Sequence, residues 1–397
     1  KELLRKELKF DGVLVSDYQE IENLYIWHHA VSSHADAIET SLLETSIDMS
    51  MIPMDHIFYD ELYNLVGDQK IDESRLDTSV HRILQLKEDL GILDNPFMSL
   101  DDPLMDTVGQ AIDSDESLKM SQESIVLLQN NHNILPLQYY PNDNNKNSDN
   151  NNKSNDNKPK IKVYLSGPTA NNLPSQIGGW AVHWQGPTPD EVPQLRAEGM
   201  PPTKTVYDAF KEILVDENNE SDLIYETYAY YKHENTQMNL QDIDNKNVED
   251  YRKRWTSKDR TSFLVTSPDL SKETKSFVDQ SDVIVLCLGE SFASAEKPGD
   301  IDDLSLDPDQ LAYAIKMDEL AITLNKPMII VLITGRPRLL NGLPQLKSVT
   351  KGGIIYAGLP GPLGGQAIAD VIFGQINPSG KLPFTWPQEP AAIPYVY

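Results

Sequence analysis

Apolar positions along the chain follow two rhythms, separated by a stretch that has none. Residues 142–158 contain only Asn, Asp, Lys and Ser, so no side chain there can offset ordering entropy, and the tract reads as a disordered insertion. Ahead of it, an amphipathic helix-like start, Lys1-Glu-Leu-Leu-Arg-Lys-Glu-Leu8, leads into the strand pattern Phe10-Asp-Gly-Val-Leu-Val15, which ends at Ser16-Asp17. Thr45-Ser-Ile-Asp-Met-Ser-Met-Ile52 is a second such element. A helix follows from near Asp72, with Leu76, Val80, Ile83, Leu84 and Leu90 at helical spacing and Gly91 as its stop.

Behind the polar tract the rhythm becomes a regular alternation of strand and helix. Ile161–Ser166, Leu223–Tyr228, Val283–Leu288, Met328–Thr334 and Gly353–Ala357 are strand-sized, and several are apolar at consecutive positions, as buried parallel strands are. Between them lie helical patterns carrying Val206, Phe210, Ile213 and Leu214, then Leu311, Ile315 and Ile322, then Gln366–Phe373. The alternation predicts an α/β fold with a mostly parallel sheet covered by helices on both faces. No period of about 20–50 residues recurs, which removes solenoids and propellers.

Charge narrows the partners. The 397 residues carry 34 Lys and Arg against 61 Asp and Glu, a net charge of −27, which argues against nucleic acid and anionic membrane surfaces. No apolar run approaches the roughly 20 residues that a membrane span requires. The lone cysteine, Cys287, lies inside an apolar run and reads as a small core residue, so neither an intrachain disulfide nor a cysteine-based zinc site is expected. Lys1–Leu8 resembles the interior of a domain, and the natural N-terminus is expected upstream of it.

Three clusters carry candidate chemistry. Asp17 follows an apolar strand, which puts it at the end where α/β architectures gather their active sites, although an Asp there also serves as a helix cap. Tyr18 beside it offers a ring for the apolar face of a sugar, or simply packs. Gly178-Gly-Trp180-Ala-Val-His-Trp184-Gln-Gly186 concentrates two of the five Trp in a Gly-rich loop, as a stacking surface or as core anchors. Gly289-Glu-Ser-Phe-Ala-Ser-Ala-Glu296-Lys-Pro-Gly-Asp300 follows the strand of Cys287. Glu296 alone would read as a solvated carboxylate. Paired with Asp17, it supplies the two carboxyl groups that glycosidic cleavage needs. Other signals carry less. Gly358-Leu-Pro-Gly-Pro-Leu-Gly-Gly365 lacks both nucleotide-binding spacings, His28, His29 and His34 have no second ligand cluster, and no GxSxG elbow occurs. Asn152-Lys-Ser and Asn219-Glu-Ser are glycosylation acceptors only for a secreted chain.

In order and context these segments resemble the family 3 glycoside hydrolases, in the β-glucosidase and exo-glucanase branch. The likeness runs through Gly12-Val-Leu-Val-Ser-Asp-Tyr18, Asp48-Met-Ser-Met-Ile-Pro53, Arg75–Leu84 and Gly91–Pro96. It continues through Glu123–Asn130, Asn133–Leu137, Gly178–Gly186, Gly335-Arg-Pro337 and Asn377–Pro383. The resemblance implies a (β/α)8-type barrel followed by an α/β sandwich, with a pocket at their junction. On that reading residues 1–100 are the last part of the barrel, 101–160 a linker with a helix and the Asn-rich insertion, and 161–397 the sandwich. It further implies a retaining β-glucosidase with no cofactor and no metal. Asp17 is then the nucleophile, Glu296 the acid/base, and Tyr18 and Trp180 the aromatic walls that grip the β-linked glucoside or oligosaccharide. Many relatives carry Trp where this chain has Tyr18. The family's earlier barrel strands and sugar-holding residues precede the nucleophile, and only sixteen residues do so here. The chain is therefore expected to be inactive by itself. A truncated relic surviving as a glycan-binding or interaction module, and a β-xylosidase or β-N-acetylglucosaminidase of the same family, are the alternative readings. A lysosomal or secreted location follows from the resemblance.

Overall fold

The computed structural model describes residues 1–52, 55–97, 99, 101–107, 109–138, 161–215, 221–227, 270–290, 295, 301 and 303–387. The low-complexity tract 142–158, the asparagines of both glycosylation motifs and Glu296 lie outside the described residues. The chain divides into two compact units, Lys1–Thr107 and Val108–Tyr397.

The first unit opens with a turn of π-helix, Glu2–Glu7, and its strand β1 spans Val15–Tyr18. The apolar run suggested a strand from Phe10, but pairing starts only at Val15, opposite Met49. Phe10 and Gly12 are instead pinned as a loop, because the Arg5 Nη1 donates to both carbonyls, at 2.9 and 2.7 Å. Helices α1 (Glu20–Ile26) and α2 (His34–Glu44) precede strand β2 (Met49–Met51), which runs parallel to β1. Helices α3 (Ile57–Gly67) and α4 (Glu73–Asp89) follow, and Asp72 caps α4 by accepting the Ser74 N–H at 2.9 Å. The small core is Ile21, Ala37, Ile38, Leu42, Leu65 and Ile71.

The second unit starts with helix α5 (Ala111–Ser124) and strand β3 (Val126–Gln129). Strand β4 (Val163–Ser166) leads to α6 (Leu173–Ile177), α7 (Val192–Ala197) and α8 (Val206–Leu214), then β5 (Leu223–Tyr225) and α9 (Lys272–Gln280). Strand β6 (Val283–Gly289) is followed by α10 (Pro308–Thr323), β7 (Met328–Ile333), α11 (Lys347–Lys351), β8 (Gly353–Gly358) and α12 (Gly364–Ile372).

The six strands of this unit line up as β3-β8-β7-β6-β4-β5, parallel throughout except for the antiparallel edge strand β3. Side chains alternate across the sheet, and both faces are apolar because both are covered. Val163, Leu165, Val283, Val285, Ile329 and Val331 pack on one side with Phe210 of α8 and Ile368 of α12. Tyr164, Ile284, Leu286, Ile330 and Ile354 pack on the other with Val278 of α9 and Met317 of α10. Each such aliphatic side chain contributes about 1.5–3 kcal/mol on full burial, and here the whole of β6 and β7 is buried. This is the α/β fold with a mostly parallel sheet that the apolar runs predict. Among the described residues no helix is long and apolar enough to cross a membrane.

Candidate active site

In the first unit, β1 delivers Asp17 and Tyr18 to its carboxyl end, with both residues exposed and Ser16 buried. The strand stops there because Gln19 takes up a left-handed conformation (φ 56°) and starts α1, its N–H bonding to the Met51 carbonyl at 2.9 Å. The Ser16 hydroxyl accepts the Met51 N–H at 2.9 Å, tying the end of β1 to β2. Asp17 Oδ1 accepts the Tyr18 N–H at 2.7 Å, which fixes the carboxylate without burying it. An exposed carboxylate on a strand end is free to meet a substrate. Asp17 therefore does not cap α1, whose N-cap is Gln19.

At its start, β1 is fastened by a buried polar node built on Asp48. Its Oδ2 accepts the Leu14 N–H at 3.0 Å and pairs with Arg5 Nη2 at 2.8 Å, while Oδ1 accepts from Ser79 Oγ at 2.8 Å and Arg82 Nη1 at 3.0 Å. Leu14 O in turn accepts the N–H groups of Asp48 and Met49. The node thus locks the residue ahead of β1 to the residue ahead of β2, and both to α4. Burial works to raise the Asp48 carboxyl, but the Leu14 N–H, Ser79 and Arg82 outweigh it and hold the group below its ordinary range. The spacing of this segment alone does not reveal that role. The available signal was Arg75, Ser79 and Arg82, which share one face of α4 and bracket a lone strand-flanking acid.

In the second unit, Trp180 stands on a loop closed on itself. The Trp180 N–H bonds to the Trp184 carbonyl at 2.9 Å, and Gly186 (φ 78°) approaches Gly178 so closely that an added Cβ would lie 2.3 Å from the Gly178 carbonyl oxygen. Trp180 (φ 61°) and Val182 (φ 64°) are both held in the left-handed region, which costs a bulky or β-branched residue about 1–3 kcal/mol. The Trp180 ring is 72% exposed. A tightly built loop that leaves its Trp ring in solvent is not anchoring the loop to the core.

Glu290 follows β6 and is engaged by protein. Its Oε2 accepts from Thr334 Oγ1 at 2.7 Å and its Oε1 pairs with Arg336 Nε at 2.9 Å. Burial lowers the nearby Arg338 guanidinium, an effect that Glu290 opposes. Both carboxylate oxygens of Glu290 are thus engaged by protein groups. Ala295 N–H donates to Gln185 Oε1 at 2.9 Å, and Gln185 Nε2 donates to Ala295 O at 3.0 Å. Neither Gln185 nor the Glu290 pairing was read from sequence. A groove of about 680 Å³ in this unit, lined by Arg196, Pro201, Lys204 and Asp208 among others, includes neither Asp17, Tyr18 nor Trp180 among its described lining residues. Among the described residues no group of His, Cys, Asp and Glu is placed to hold a metal ion.

Comparison with known proteins joins these observations to a class. Residues 1–86 match the glycosyl hydrolase family 3 N terminal domain, and residues 125–397 match the family 3 C-terminal domain. The chain belongs to glycosyl hydrolase family 3. It is 34% identical over 386 residues to the lysosomal beta glucosidase of Dictyostelium discoideum, a match that takes in 97% of this chain and 39% of that protein. It is 26% identical to the periplasmic beta-glucosidase of Salmonella typhimurium, over 100% of this chain and 44% of the relative. Among solved structures, the beta-glucosidase of Listeria innocua in complex with glucose is 25% identical with a TM-score of 0.68, covering 98% of this chain and 42% of the other. The chain spans less than half the length of these relatives.

Proposed function

We propose that this chain carries the nucleophile and the acid/base of a retaining β-glucosidase. The observation that carries the reading is Asp17, exposed at the carboxyl end of β1 within the match to the family's N terminal domain. The Dictyostelium, Salmonella and Listeria relatives, all beta-glucosidases by name, support the substrate class. On this reading residues 1–100 end a barrel domain and 161–397 form the sandwich.

The chemistry needs no cofactor. The Asp17 carboxylate attacks the anomeric carbon as the bond to the departing oxygen breaks, and Glu296 gives that oxygen its proton. Water then passes a proton back to the Glu296 carboxylate while its oxygen displaces Asp17, releasing glucose with its β configuration kept. Such double displacement calls for carboxyl groups about 5–5.5 Å apart. Tyr18 and Trp180 would stack on the apolar faces of the sugars. A lysosomal or secreted site of action accords with the names of the Dictyostelium and Salmonella relatives.

The test is Asp17→Ala in the full-length gene product, assayed on cellobiose. Turnover should fall by at least about 1,000-fold, since without the nucleophile no glycosyl-enzyme forms; retention of about a tenth of the parent rate would refute the assignment. A β-xylosidase reading also has support, because a beta-xylosidase of Formosa agariphila is 25% identical over 100% of this chain. The ratio of kcat/KM for aryl β-glucoside and aryl β-xyloside decides between the two.

A further inference from the structure

A regular strand turns successive side chains to opposite faces, so β1 would hide Tyr18 wherever it hides Ser16. It does not: Ser16 is buried, while Val15, Asp17 and Tyr18 are all exposed. The pairing with β2 shows why. Val15 lies opposite Met49 and Tyr18 opposite Met51, so three steps along β1, from 15 to 18, match two along β2, from 49 to 51. The extra residue makes a β-bulge, the device by which a strand bends and re-aims a side chain.

Ser16 holds this bulge with its side chain. The buried hydroxyl accepts the Met51 N–H at 2.9 Å and donates to the Asp17 carbonyl at 2.8 Å. One side chain thus ties the backbone of β2 to the peptide that carries Asp17, a link that a regular ladder makes through backbone groups alone. The Gln19 N–H bonds to the Met51 carbonyl at 2.9 Å, so the two backbone groups of Met51 bracket residues 16 to 19. Within that bracket the Tyr18 N–H donates to Asp17 Oδ1 at 2.7 Å and sets the rotation of the carboxylate.

We propose that Ser16 is a positioning residue for Asp17: its hydroxyl holds the bulge that turns the carboxylate out of the strand end, and so sets the line of attack on the anomeric carbon. The proposal rests on the reading of Asp17 as the nucleophile. Being buried, Ser16 acts through Asp17 and not on the sugar. Attack at carbon is steep in geometry, and a displacement of about 1 Å costs about 100-fold. Loss of positioning lowers the rate of attack at each folded site. Loss of a merely structural contact lowers the number of folded sites instead.

The experiment compares parent, Ser16→Ala, Ser16→Cys and Ser16→Thr, each as the full-length gene product, at saturating dinitrophenyl 2-deoxy-2-fluoro-β-glucoside. The size of the dinitrophenolate burst counts the competent sites, its rate constant reports attack on carbon, and peptide mass spectrometry locates the label. Ser16→Ala should keep at least about half of the burst while its rate constant falls about 30-fold. Ser16→Cys, close to serine in size but a weak hydrogen-bonding group, should fall by at least about 5-fold, and Ser16→Thr, which keeps the hydroxyl, should stay within about 3-fold of the parent. Unchanged rate constants in Ser16→Ala and Ser16→Cys, a loss seen only as a smaller burst, or a Ser16→Thr rate constant as low as that of Ser16→Ala overturns the positioning role. Where Ser16→Ala gives no burst, the cysteine and threonine variants decide by the same criteria. A parent label on a carboxylate other than Asp17 overturns the nucleophile reading, and the proposal with it; a parent labelled on Asp17 leaves that reading standing whatever the Ser16 variants do.

Discussion

Both units are built on parallel strands, yet the two sheets are held by different forces. In the second unit every residue of β6 and β7 is buried, and helices cover both faces, so burial of apolar area stabilises the sheet. In the first unit Val15, Tyr18, Met49 and Met51 are all exposed, and β1 and β2 are fastened at their starts by the Asp48 node with its two arginines. The difference teaches where each kind of residue is used. Among the described residues, charge-assisted hydrogen bonds to Asp48 hold the strand that carries Asp17, whereas buried apolar side chains hold β6 and β7.

The comparison breaks most sharply by removing the anchor of each sheet in turn. Asp48→Ala leaves Arg5 and Arg82 without their shared carboxylate and should destabilise the first unit by about 3–5 kcal/mol, while Leu286→Ala should cost the second unit about 2–5 kcal/mol. Hydrogen exchange resolved along the chain should show each loss confined to its own unit; a loss shared equally by both would contradict the comparison. Acid should separate them next. The folded Asp48 carboxyl lies below its ordinary value, so its stabilisation is complete above the unfolded value near about 3.9 and is lost as pH falls through the folded one. Asp36 and Asp72, lowered mainly by serine hydrogen bonds, act in the same direction in the same unit. The first unit should therefore open first on acidification, and Asp48→Asn should flatten that dependence without abolishing it. An unchanged acid midpoint in Asp48→Asn would count against the node. The smallest effect belongs to the exposed Glu2–Lys6 pair, one turn apart at 2.7 Å: Lys6→Ala should change stability by no more than about 0.5 kcal/mol, as followed by denaturant titration.

The strands β4 to β8 were legible in the sequence because each falls in a short, mostly apolar run, apolar at every position in β7. Strand β3 escaped, since Val126–Gln129 is a short antiparallel edge placed directly behind α5. Helix α3 was missed although Phe58, Leu62, Leu65 and Val66 sit at helical spacing. The start of β1 was misplaced by the apolar Phe10, which Arg5 holds in a loop with its guanidinium 5.3 Å from the ring centre. The place of Asp17 and Tyr18 at the carboxyl end of β1 was readable from the apolar run before them. Asp48 was not, because a buried charge looks like any polar strand flank until its arginines are placed around it. Gln185 meets its partner 110 residues away, a separation that no local pattern encodes.

The central claim is that Asp17 bonds covalently to the anomeric carbon. The most direct measurement is to treat the full-length gene product with a dinitrophenyl 2-deoxy-2-fluoro-β-glucoside, whose glycosyl-enzyme turns over slowly, and to locate the label by peptide mass spectrometry. The account predicts one fluoroglucosyl group per chain, carried on Asp17. A label on any other carboxylate, or hydrolysis of the reagent with inversion and no label at all, would contradict it.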